Sequence, residues 1–164
     1  MRHVQTLALI ASAATLAACG SDNRPGVLVG DAYIVTETGQ EVNLAGMPVA
    51  LVRETEQLDS LLATTCPRRP GSAEARPDSA AQSQAWQRRA QLLSAQAAKR
   101  AATDAAAHFR VDSVAPGRYR VWADTAYGGQ RWSWLHEVTI EAGDTAKVAL
   151  SNANPDDNPF RCRG

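Results

Sequence analysis

The sequence predicts a mainly β protein, a sandwich of short strands interrupted by a helical insertion. Three observations carry this. β-branched and aromatic residues dominate Val27–Thr36 and alternate with polar ones from Phe109 to Leu150. Turns separate these runs at Thr38-Gly39-Gln40, Ala45-Gly46-Met47-Pro48, Val114-Ala115-Pro116-Gly117, Gly128-Gly129 and Ala142-Gly143-Asp144. Between the two strand-rich stretches, from Arg53 to His108, period and composition become helical.

Each element has its own reason. Val27-Leu28-Val29 and Ala32-Tyr33-Ile34-Val35-Thr36 read as the opening strand material. Val42 to Val52 continues it with a break at Ala45–Pro48, after which Val49 and Leu51 share one face and Ala50 and Val52 the other. Leu58, Leu61 and Leu62 stand at i, i+3 and i+4 and predict a short helix from Glu54 to Ala63. Residues 67–78 contain Pro, Gly and Ser without period and read as a linker. Asp78 and Ser79 offer N-caps, with Gln82 placed for a capping box on Ser79. From Ser79 to Ala107 the chain is rich in Ala, Gln and Arg and has no Gly or Pro, which predicts a long helix with a stripe of Trp86, Ala90, Leu93, Ala97 and Ala101. Strands return with Phe109 and Val111 on one face. Tyr119, Val121 and Ala123 then alternate with Arg118, Arg120 and Trp122. Trp132, Trp134, His136, Val138 and Ile140 share a face, and Ala146, Val148 and Leu150 share another.

The first residues say where the protein goes. Arg2 and His3 precede an apolar run from Val4 to Ala18, the pattern of a secretory signal. Leu16-Ala17-Ala18-Cys19 resembles the lipobox of bacterial lipoproteins. That resemblance implies removal of residues 1–18, lipidation of Cys19, and stable anchoring by several acyl chains. Gly20 rather than Asp after the cysteine points to the outer membrane, at its periplasmic face. Residues 19–26 then form a tether, 27–151 the sandwich with its insertion at 53–108, and 152–164 a tail.

Net charge is zero but unevenly spread. From Asp22 to Thr65 there are seven acids against two bases, and from Cys66 to Arg100 seven bases against two acids. The basic middle is expected to pack near the acidic start. It also offers a surface for anionic headgroups or an acidic protein partner. The charge is too modest for nucleic acid. Two cysteines remain in the exported chain, Cys66 and Cys162. An even pair in an oxidising compartment reads as a disulfide, with two free thiols as the alternative. Closing so long a loop stabilises by about 4 kcal/mol in the chain-entropy model. No CxxC is present, so no metal site is expected.

Two stretches resemble carboxypeptidase regulatory-like domains. Ala45-Gly46-Met47-Pro48-Val49-Ala50-Leu51 is similar to their second-strand entry. Phe109 to Val121, with Pro116-Gly117-Arg118-Tyr119, is similar to their most recognisable strand–turn–strand. Val138 to Thr145 looks like their last hairpin. The resemblance implies a seven-stranded, Greek-key-type, transthyretin-like sandwich, also grouped as a carbohydrate-binding-like fold. The segment from Arg53 to His108 departs from that pattern.

No catalytic constellation is visible. His136 and Glu137 are neighbours on a strand and point to opposite faces. Serines lack a nucleophile-elbow setting, and no Gly-rich phosphate loop is present. No catalytic residue and no cofactor are expected. Aromatic residues are the better signal: Trp122, Tyr127, Trp132 and Trp134 crowd around the Gly128-Gly129 turn. By parity Trp122 faces outward with Arg118 and Arg120. Trp122, Tyr127, Arg118 and Arg120 are therefore the candidate ligand-binding residues, with a covering role of Trp122 against the long helix as the rival. The expectation is a non-enzymatic, membrane-anchored envelope lipoprotein that binds a protein partner through its basic helical insertion, or alternatively a glycan.

Overall fold

The computed structural model describes residues 23–66 and 79–155. Two four-stranded sheets pack face to face. In the first, β1 (Gly26–Val35) is central. It pairs antiparallel with β2 (Glu41–Asn43) and β5 (His108–Val114), and parallel with β8 (Thr145–Ser151). The second sheet is antiparallel throughout, in the order β4 (Ala97–Ala102), β3 (Pro48–Arg53), β6 (Gly117–Tyr127), β7 (Gln130–Ile140). Two helices, α1 (Glu56–Thr64) and α2 (Ser79–Ala95), fall between β3 and β4 in sequence.

The period-two pattern decides what lies between the sheets. Leu28, Ala32 and Ile34 of β1 meet Val49, Leu51, Val121, Ala123 and Trp134 from the opposite sheet. Trp134 is fully buried, and its indole N–H donates to the Ser151 carbonyl at 2.9 Å. Burying so large a ring is therefore possible without a stranded donor. Gly30 permits the closest approach. A Cβ there would stand 2.4 Å from the Val148 carbonyl oxygen and 2.5 Å from the Phe109 ring.

A second apolar cluster lies on the outer face of the β4-β3-β6-β7 sheet. Ala50, Val52, Trp122 and Leu135 point away from the sandwich core and are covered by Leu58 and Leu62 of α1 and Leu93 of α2. Thr55 caps α1, its side-chain oxygen accepting from the Leu58 amide. The insertion is thus a third layer over this sheet.

The expected long helix from Ser79 to Ala107 is not what forms. α2 ends at Ala95, and Ala97–Ala102 is a strand on the outer edge of β3, which makes eight described strands rather than seven. Alanine favours helix by fractions of a kcal/mol per residue, whereas β3 offers a full row of backbone donors and acceptors; tertiary pairing wins. Lys99 and Arg100 keep this edge strand charged and exposed. The stripe of α2 also shifts. Its fully buried positions are Ala85, Arg89 and Leu93, while Trp86 and Ala90 are half-buried. The linker 67–78, Cys19 and Cys162 lie outside the described residues.

Candidate functional site

The residues singled out by sequence do not form one site. Arg118 and Tyr127 are nine positions apart on β6, which at about 3.3 Å per residue separates them by about 30 Å. The four split into an ion-pair cluster around buried Arg120 with exposed Arg118 at its edge, a covered tryptophan in the middle, and a tyrosine at the hairpin tip.

Arg120 is 3 % exposed and sits on the outer sheet face beside α1. Its guanidinium donates to Asp59 at 2.6 Å and faces Glu54 at 3.3 Å and Glu137 at 3.8 Å. Burial works against its charge, but the Asp59 hydrogen bond and the charges of Asp59, Glu54 and Glu137 outweigh it and raise its pKa above the ordinary arginine value. Arg118 is exposed and pairs with Glu54 at 3.0 Å. These arginines fasten the start of α1 to β6 and β7, while the basic middle packs beside the acidic first segment, α2 next to α1 and β4 along β3. Trp122 does face outward, as its parity requires, yet it is only 7 % exposed beneath the helices. That is the packing against the helical insertion that stood as the rival to ligand binding.

Of the two aromatic candidates only Tyr127 remains open, at 37 % exposure. It ends β6 at a two-residue turn in which Gly128 and Gly129 have φ of 61° and 75°. Both central residues with positive φ define a type I′ hairpin, whose twist matches the flanking strands. The register sets Tyr127 opposite Gln130 and Thr125 opposite Trp132. These four side chains share the hairpin face that continues the sandwich interior, with Trp132 half-buried against the core. The opposite face is braced by α2. The Trp86 indole N–H donates to Asp124 at 3.2 Å, and Arg131 lies 4.7 Å from the Trp86 ring centroid while pairing with Asp124 at 2.7 Å. Trp132 could have been placed beside Tyr127 from the Gly-Gly turn alone, because a two-residue loop fixes register. The Trp86 contact had no sequence signal.

The other concavity lies on the outer face of the β1 sheet. An open groove of about 710 Å³ is lined in part by Asp31, His108, Arg110 and Lys147. His108 is 3.4 Å from Asp31, and Arg110 is 2.8 Å from Asp112. His136 lies half-buried on β7, its Nε2 without a hydrogen-bond partner among the described residues. No cluster of three or more metal-ligating side chains occurs among the described residues. Nor is any described helix long and apolar enough to cross a membrane.

No protein-family model and no curated protein matches this sequence. Among solved structures, the chain is similar to a Pseudomonas aeruginosa protein provisionally described as carbohydrate-binding, at 21% identity and TM-score 0.45, covering 82% of this chain and 93% of that one. A minor pilin of Streptococcus agalactiae is similar at 21% identity and TM-score 0.46, with 79% of this chain and 44% of the pilin covered. The backbone protein of the group B streptococcus pilus 2b is similar at 14% identity and TM-score 0.39, with 79% and 43% covered. This chain thus spans less than half of either pilin. Likenesses of this size carry no argument about what the chain does.

Proposed function

We propose that this is a lipid-anchored envelope protein whose sandwich is a non-catalytic binding module directed away from the membrane. One observation supports the reading best. β1 starts at Gly26, seven residues after Cys19, and the β6–β7 hairpin lies at the other end of the sandwich. Seven residues reach at most about 25 Å, and a ten-residue strand adds about 33 Å beyond them. A domain held at the start of β1 therefore offers Tyr127–Gln130 to whatever lies across the compartment. Lipidation of Cys19, residence at the periplasmic face of the outer membrane and membership among carboxypeptidase regulatory-like domains belong to the same reading. So does a Cys66–Cys162 disulfide, which fits a Cys66 that is not a free thiol. It would tie the tail to the end of α1.

The test is fractionation. The native protein is expected in the membrane fraction and soluble only in detergent. Cys19→Ser should move it to the soluble fraction, and stable membrane association of that variant would sink the anchor.

A second reading keeps the basic insertion as the contact. Lys99 and Arg100 on edge strand β4, with exposed Arg88 on α2, would meet an acidic protein partner. Lys99→Glu with Arg100→Glu should then abolish capture of that partner without unfolding the sandwich.

A further inference from the structure

We propose that the inner side of the β6–β7 hairpin is a carbohydrate platform on which Tyr127 and Trp132 stack against a neutral sugar ring. This rests on the module being a binding protein and names its ligand class. The four residues there form a small checkerboard: Thr125 opposite Trp132, and Tyr127 opposite Gln130. Each aromatic ring thus has a hydroxyl or an amide beside it on the same face. A pyranose has the complementary chemistry, with apolar C–H faces and a rim of hydroxyls that donate and accept. None of the four side chains is charged at neutral pH, which favours a neutral sugar over an acidic one.

The size of the platform argues against a protein partner. Each aromatic side chain can bury about 150–250 Å². Two of them, one already half-buried, fall well short of the roughly 800 Å² per partner of a stable protein interface. A sugar ring needs only one or two aromatic faces and a few hydrogen bonds.

The platform is held before any ligand arrives. Trp134 lies next along the strand, fully buried and hydrogen-bonded to Ser151. On the reverse side, the Trp86–Asp124–Arg131 contacts fix the hairpin to α2. Holding the rings in place reduces the ordering cost of binding. Trp86 is a positioning residue here and touches no sugar.

The experiment uses the full-length protein from detergent-solubilised membranes. Binding is measured by co-sedimentation with chitin, a neutral polymer of N-acetylglucosamine, and by affinity electrophoresis in gels containing neutral glucan or galactomannan. Saturable binding to at least one of these probes is expected, weakened about tenfold or more by Tyr127→Ala and kept by Tyr127→Trp. Trp132→Ala touches the core, so Trp132→Phe accompanies it, with thermal unfolding followed for both. Absence of binding to every probe, or binding that Tyr127→Ala leaves unchanged, overturns the proposal. So does capture of a protein instead of a sugar through the same tyrosine. Failure of the anchor is read separately, because a Cys19→Ser protein found in the soluble fraction is carried through the same sugar assays.

Discussion

The two outer faces of this sandwich received opposite treatment. On the β4-β3-β6-β7 sheet, the outward positions Ala50, Val52, Trp122 and Leu135 are apolar and lie under α1 and α2. On the β1 sheet, the groove residues Asp31, His108, Arg110 and Lys147 are mostly charged, and Arg110 and Asp112 satisfy each other at the surface. The difference shows that strand parity reports which way a side chain points but not whether something covers it. Trp122 points outward and is buried. Arg110 points outward and is exposed.

The sharpest way to break the comparison is to attack the covered face. Leu93→Asp places a carboxylate in a fully buried site among Val52, Trp122 and Leu135. It should destabilise by about 4 kcal/mol or more, seen as a large drop in denaturation midpoint. Deleting residues 66–100 should likewise fail to leave a folded sandwich, because it removes α2 with Leu93 from the cover and most of β4. A native-like melting transition in that deletion would mean the third layer is dispensable.

Gly30→Ala attacks the inner side of the other sheet. The added methyl meets the Val148 carbonyl and the Phe109 ring, and should cost about 3 kcal/mol in denaturant unfolding. Arg120→Met comes next. It leaves Glu54 facing Arg118 alone and removes the hold of Asp59 on β6. The expected loss is about 2 kcal/mol, below the range for fully buried pairs because Asp59 is largely exposed. Its counterpart on the open face, Arg110→Ala, should change stability by no more than about 0.5 kcal/mol. If Arg110→Ala cost as much as Arg120→Met, the two faces would not differ in the way described.

A last substitution should stabilise. Ser113 is exposed with φ of 54°, a left-handed conformation that costs a non-glycine residue about 1 kcal/mol. Ser113→Gly should raise the melting temperature by a few degrees. A fall would mean that the serine side chain contributes more than its backbone strain costs.

The strands were legible because their burial repeats every two residues and their turns carry Gly and Pro. Tyr119, Val121 and Ala123 all face inward, as their alternation requires. The short helix was legible from Leu58 and Leu62, both of which are buried. The end of α2 was not legible. Ala97-Ala98-Lys99-Arg100-Ala101-Ala102 has helical composition, and only the unpaired edge of β3 makes it a strand. The parallel pairing of β8 on β1 was equally silent, since alternation does not record strand direction. Of the candidate site residues, Tyr127 stayed open and Trp122 and Arg120 were covered. Trp132, beside Tyr127, was grouped with the aromatic residues around the Gly-Gly turn and not with the candidate binding residues.

The sequence by itself determined a β-sandwich with a helical insertion, which residues share a face in β3, β5, β6, β7 and β8, and the hairpin at Gly128-Gly129. These are local properties, set by dihedral preference and by a two-residue burial period. The tertiary structure decided that the insertion becomes a cover, that its second half becomes β4, and that Arg120 belongs to an ion-pair cluster rather than to a binding surface. Those outcomes depend on which distant segments meet. The competing energies are a row of backbone hydrogen bonds along β3, an apolar outer face and three carboxylates around one buried guanidinium, and no local pattern contains them.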